Sequence, residues 1–86
     1  MPELSRFYGI IIRMFFVDHP PPHFHAIYGE YEGIIEIATS RIIGGSLPLG
    51  ARSLVQQWSD LHRNELFEQW ELARQAQPLG KIEPLP

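Results

Sequence analysis

At Gly44-Gly45-Ser46 the spacing of apolar residues changes from every second position to about every 3.6, and this change sets the fold class. Before the glycines, short apolar and β-branched runs are separated by Asp, Pro and Gly, the pattern of strands joined by tight turns. After them, Ala51, Leu54, Val55, Trp58, Leu61, His62, Leu66 and Ala73 fall on one helical stripe that ends before Pro78. A sheet followed by an amphipathic helix must bury one face against the other.

The strand half divides as follows. Residues 6 to 17 form one aromatic and β-branched run closed by Asp18 and the prolines, and are expected as a single strand. Its even positions Tyr8, Ile10, Ile12, Met14 and Phe16 are all apolar, while Gly9 and Arg13 interrupt the odd set, so the even face is expected inward. A second strand is expected from His23 to Tyr28, with Phe24, Ala26 and Tyr28 on one face and His23, His25 and Ile27 on the other. Gly29 to Gly33 supplies a turn, residues 34 to 39 a third strand with Ile35 and Ile37 inward and Glu36 outward, and Arg41 to Ile43 a short fourth. Sequential short strands favour an antiparallel meander.

In the helical half, Ser46 is placed to act as the N-cap and Pro48 is tolerated in the first turn. The expected fold class is α+β: a three- or four-stranded antiparallel meander followed by one long C-terminal helix packed on one sheet face, a single domain over residues 1–86. In a second version the helix is broken, and Asn64 caps a new helix that begins near Glu65.

A chain of 86 residues buries only about 60 to 65% of its unfolded surface, enough to fold alone with little stability in reserve. It contains no cysteine, which excludes disulfides, thiolate zinc sites and cysteine nucleophiles, so any metal must be held by His, Asp or Glu. That composition suits the cytoplasm. No apolar run approaches the roughly 20 residues of a membrane span, and Met1-Pro2-Glu3 lacks the features of a signal peptide, so no membrane association is expected. The net charge of −3 offers no general attraction to nucleic acid, and the acid excess lies mainly in the C-terminal part. Arg6, Arg13, Arg41 and Arg52 can make local basic contacts but not a phosphate-tracking surface.

Chemistry is concentrated in Asp18-His19-Pro20-Pro21-Pro22-His23-Phe24-His25, which holds three of the four histidines. The prolines stiffen the approach to His23 in extended, polyproline-like conformers and supply no backbone donors. His23 and His25, two apart in a strand, project from one face. If the helix covers the even face of the first strand, the opposite face collects Arg13, His23, His25 and Glu36, flanked by Phe7, Phe15 and Ile27. These groups suit a divalent metal, zinc or nickel, held by His23, His25 and either a carboxylate such as Glu36 or His19. They equally suit a histidine-dependent hydrolase or ribonuclease with Arg13 as a phosphate clamp, and surface histidines bonded locally around a proline turn.

His62 lies beside the helical stripe and is expected to be partly buried and bonded to a carbonyl or carboxylate. Phe67 and Trp70 fall off the stripe of a continuous helix, which suggests either the broken helix or a protein interface; in the second case, with Phe15 and Ile27, they are expected to anchor a homo-oligomer or a second small protein. The proline-spaced tail from Pro78 to Pro86 is expected to be extended, packing on its own domain or adding to a partner's sheet edge.

Several of these segments together resemble one family. Pro2-Glu3-Leu4-Ser5-Arg6-Phe7 with Gly9-Ile10, Asp18-His19 followed by Pro21-Pro22-His23-Phe24-His25, Tyr28-Gly29-Glu30-Tyr31, Trp58 to Leu66, and Pro78-Leu79 with Lys81-Ile82-Glu83-Pro84-Leu85 look like the small bacterial domain of unknown function 4160 family. The resemblance spans nearly the whole chain and transfers no catalytic residue. Genes of that family often neighbour one for another small protein, which implies a regulatory or interaction role in a toxin-antitoxin-like two-protein module.

Overall fold

The computed structural model describes residues 2–86. Strands β1 (Glu3–Phe7), β2 (Ile10–Arg13), β3 (His23–Tyr28), β4 (Tyr31–Glu36) and β5 (Ile42–Gly45) are followed by helices α1 (Leu49–Leu61) and α2 (Arg63–Arg74). The strands form one antiparallel meander in chain order. The α+β class is therefore as expected, with five strands in place of three or four and two helices in place of one.

The extra strand comes from a turn inside the run expected to be continuous. Tyr8 and Gly9 have φ of 50° and 79°, the left-handed pair that a two-residue hairpin requires, so residues 6 to 17 are split rather than extended. Tyr8 lies in the turn at 60% exposure and Phe16 lies beyond β2 at 43%, while Ile10, Ile12 and Met14 form the buried even set. The same turn carries Phe7 inward, 5.5 Å from Trp58, and removes it from the outer face where it was expected. β3 has the expected bounds and facing. β4 begins at Tyr31 because Gly29 and Glu30 alone make the turn, with Tyr28 opposite Tyr31 and Ile27 opposite Glu32.

The helical half is broken at His62, whose φ of −114° and ψ of 24° leave the helical region. Asn64 does not cap the second helix but lies inside it, and Ser46 does not cap the first, whose cap position is Pro48; the Ser46 N–H instead donates to Glu32 O at 3.1 Å. Arg63 fastens the junction: its Nε donates to Ile37 O at 2.9 Å, and another guanidinium nitrogen donates to Ser40 Oγ at 2.8 Å and Asp60 Oδ1 at 2.6 Å. The break redirects the apolar stripe. Leu61, the last residue of α1, is 68% exposed, whereas beyond the break Leu66, Trp70 and Ala73 enter the core.

Trp58 sits at the centre of that core, 5.5 Å from Phe7 and 5.7 Å from Phe24. Leu4, Ile10, Ile12, Phe24, Ile35, Val55 and Leu66 are fully buried around it, each side chain contributing about 1.5 to 3 kcal/mol by leaving water. The tail closes on its own domain. Ile82 N–H donates to Leu4 O at 2.8 Å, Trp58 Nε1 donates to Glu83 O at 2.8 Å, and the Tyr8 hydroxyl donates to Pro86 O at 2.6 Å. Among the described residues no helix is long and apolar enough to cross a membrane.

Candidate functional site

The outer face of the sheet is set by the register. Arg13 stands opposite His25, Ile11 opposite Ile27, and His23 opposite Glu36. Between β2 and β3 the chain from Met14 to Pro22 folds back over one end of this face and is held at two points: Val17 N–H donates to Ala73 O and Ile37 N–H donates to Pro22 O, both at 3.0 Å. Its Pro20–Pro21 peptide is cis. This path brings Asp18 against the two histidines of β3.

His23 Nδ1 lies 2.7 Å from Pro21 O and its Nε2 lies 3.0 Å from Asp18 Oδ2. His25 Nδ1 lies 2.9 Å from Glu32 Oε2, and its Nε2 is 3.7 Å from the same Asp18 oxygen. A carbonyl and a carboxylate only accept, so each Nδ1 carries a hydrogen when it bonds Pro21 O or Glu32, and both Nε2 atoms face Asp18. In a neutral ring Nε2 is then a lone pair aimed at a carboxylate. The contact is favourable when the imidazole is doubly protonated or when a cation receives all three atoms. Phe15 packs edge-on to His25 at 4.4 Å and Trp70 lies 5.2 Å from His23, so both rings are largely removed from water and fixed in orientation.

Burial by itself would raise the Asp18 carboxyl, but the His19 N–H at 2.8 Å and the adjoining His23 and His25 rings outweigh it and hold the group below the usual carboxylate range. Asp18 is thus an anion facing two ring nitrogens. One ligand atom from each of Asp18, His23 and His25 lies within 4.8 Å of the other two. Two ligands that each sit about 2.0 to 2.1 Å from a tetrahedral or octahedral ion are themselves about 2.9 to 3.4 Å apart. The 3.0 Å separation falls in that range and the 3.7 Å separation lies just above it.

The remaining expected site residues fall in different places. Glu36 is the register partner of His23 but accepts from Thr39 Oγ1 at 2.8 Å and is not one of the three clustered groups; the carboxylate is Asp18. His19 is exposed and contributes its backbone N–H to Asp18, not its ring to the cluster. Trp70 is only 6% exposed and is a wall of the His23 environment, which corrects its expected place on a partner surface; the helix break at His62 turned it inward. Phe67 remains 38% exposed, and Phe15 and Ile27 are half-buried on the outer face. His62 packs 5.5 Å from Trp58 and bonds Glu65 at 2.6 Å, the partly buried, carboxylate-bonded histidine expected.

Asp18 and Glu32 are the two groups that sequence reading did not select. Asp18 was in the histidine run itself, although only a fold-back between β2 and β3 could aim it at His23. Glu32 falls, by sequence, in the Gly29–Gly33 turn. A two-residue turn at Gly29-Glu30 sets Glu32 opposite Ile27 and so diagonal to His25, within reach of a long side chain.

No curated protein and no solved structure matches the chain. A family model described as a domain of unknown function (DUF4160) matches residues 9–71, a span that contains Arg13, Asp18, His23, His25 and Glu32, and the chain belongs to that family.

Proposed function

We propose that this chain is a small metal-binding regulatory protein whose ion is held by Asp18, His23 and His25. One observation carries the reading: a carboxylate oxygen and two imidazole nitrogens lie within 4.8 Å of one another. The rest of the site supports it. Each imidazole gives its Nδ1 hydrogen to an oxygen, the orienting bond that metal-ligating histidines ordinarily make, and leaves Nε2 directed at the shared position. Two imidazoles and one carboxylate suit zinc or nickel better than magnesium or calcium. On this reading the ion fastens the Met14–Pro22 segment to β3. Three protein ligands also leave a position for water, so metal-assisted hydrolysis is the enzymatic chemistry open to the site.

Calorimetric titration of the untagged chain with zinc and nickel tests the reading. One ion should bind with a dissociation constant far below millimolar, and the His23→Ala/His25→Ala double variant should lose that binding while keeping its circular dichroism. No binding stronger than millimolar to the wild type ends the metal reading.

A second reading, contact with a partner protein in a two-protein module of the toxin-antitoxin kind or in a homo-oligomer, is favoured by a separate observation. Phe16 and Val17, on the segment that carries Asp18, are 43% and 66% exposed, and Phe67 on α2 is exposed as well. An RNA ligand is less well supported. Arg6 and Arg13 are the basic groups of the outer face, and Glu3, Glu32 and Glu36 sit on neighbouring positions of the sheet, which is no basic stripe.

A further inference from the structure

Two orphaned polar atoms on the outer sheet face belong to residues that face each other. Arg13 on β2 and His25 on β3 are register partners, and Arg13 Nε and His25 Nε2 are both buried with no hydrogen-bond partner among the described residues. Their needs are opposite. A guanidinium Nε always carries a hydrogen and requires an acceptor, whereas His25 Nε2, with the ring hydrogen committed to Glu32, presents a lone pair. Leaving a buried charged donor unmatched is costly, so each such group calls for a partner.

The carboxylate nearest Arg13 in the register is engaged elsewhere. Glu3 is the register partner of Arg13 on the β1 side, but its two oxygens accept from Arg6 at 2.8 and 3.2 Å. Glu32 accepts from His25, and Asp18 accepts from the His19 backbone while lying against His23. A metal ion on His25 Nε2 makes the demand sharper, because it adds a dication, with Asp18 as its single anionic ligand, on the residue opposite Arg13. Like charges in a low-dielectric setting repel strongly unless an anion bridges them.

We propose that the ligand of this site is a small oxyanion, with one oxygen on the ion held by Asp18, His23 and His25 and another accepting from Arg13. This deepens the metal reading and rests on it. Opposite residues of an antiparallel pair have Cβ atoms about 4.5 to 5.5 Å apart, so the Arg13 stem and the His25 ring start from adjacent points, a span that a group with two oxygens bridges. Arginine pairs with carboxylate and phosphate in a forked geometry, and an ion with three protein ligands keeps a position for a fourth. The bound group is either a carboxylate or a phosphoryl group, and both meet the site through the same two contacts.

The test uses the full chain loaded with one equivalent of cobalt(II), whose unpaired electrons shorten the nuclear relaxation of anything bound beside it. Inorganic phosphate is titrated and followed by phosphorus resonance, and acetate separately by carbon resonance. One of the two should relax faster on the loaded wild type, and the stronger arm identifies the source. Arg13→Gln should weaken that anion by about tenfold or more, as expected for loss of a charge-assisted hydrogen bond, while cobalt affinity stays within about threefold. Arg13→Lys should recover part of the loss, and it is the comparison to use if the glutamine variant does not fold. Cobalt binding without enhanced relaxation of either anion overturns this inference and leaves the metal reading standing, as does an anion affinity unchanged in Arg13→Gln. Failure of cobalt to bind the wild type overturns both.

Discussion

Trp58 Nε1 donates to Glu83 O at 2.8 Å, so the largest side chain of the core is fastened to the last segment of the chain. The bond joins two stabilising effects. The indole fills the space between Phe7 and Phe24, and its N–H holds the tail against β1, where Ile82 donates to Leu4 O. Trp58→Ala should lower the unfolding free energy by about 3 to 5 kcal/mol, a large part of the total for a domain of this size. Trp58→Phe keeps much of the volume but leaves Glu83 O without its donor, and should cost roughly 1 to 3 kcal/mol. A urea titration in which Trp58→Phe matches the wild type would show that the tail bond contributes nothing.

Gly45 is the position where a single methyl group should do the most damage. Its φ is 65°, and a Cβ there would land on the backbone carbonyl oxygen of Glu32, across the β4–β5 pairing. The neighbour is backbone and cannot turn aside, and the left-handed conformation adds its own penalty. Gly45→Ala should therefore separate β5 from β4 and lower the melting temperature by several degrees, as about 1 kcal/mol or more does in a small domain. Gly50→Ala is the matched control, since a Cβ there meets nothing within 4 Å and alanine favours the helix. Its melting temperature should equal or exceed that of the wild type.

The division between what the chain displays and what it conceals follows range of interaction. β3 was legible to the residue because alternation, bounding prolines and a following glycine all act within a few positions. The Tyr8–Gly9 hairpin was less visible: a tyrosine at positive φ is rare, and the flanking residues are so uniformly apolar that one strand and two strands give the same pattern. The helix break was legible only in part. Phe67 and Trp70 fall off a continuous stripe and so point to a bend near Glu65, but its place at His62 goes with Arg63 reaching Ile37 and Ser40, more than twenty residues earlier in the chain. The histidine pair was visible as a spacing of two, but its carboxylate was not, because Asp18 meets the rings only through the fold of a loop.

Acid should destabilise the domain partly through Asp18. Its folded-state pKa is held below the ordinary value of 3.8, so the folded state binds its proton less readily than the unfolded chain does. The sign follows directly: the stabilisation is fully present above the unfolded value and is lost as the pH falls through the folded one. Melts of the metal-free protein in chelator, run from neutral pH down to about pH 2, should show this loss below about pH 4. Asp18→Asn should lower stability at neutral pH and flatten the acid limb of the curve. An acid limb identical in wild type and variant would remove Asp18 from the acid response.

The contact reading makes a prediction of its own, because the apolar groups it uses differ from those that sequence alone suggested. Trp70 belongs to the core, but Phe16 and Val17 stand out from the segment that carries Asp18, and Phe67 is exposed on α2, the helix whose Ala73 carbonyl accepts from Val17. Exposed apolar groups near one another commonly mark association sites, with aromatic side chains as anchors. Light scattering at high micromolar concentration should report a mass above that of one chain, or a stoichiometric second protein should co-purify from the native cell. Phe16→Ser/Val17→Ser should abolish that association and leave the melting temperature nearly unchanged, since neither side chain is buried. Trp70→Ala should do the reverse and unfold the monomer, because it removes the wall behind His23 and opens the core between α2 and the sheet. A chain that remains monomeric and recovers no partner would leave the metal site as the sole basis for a function.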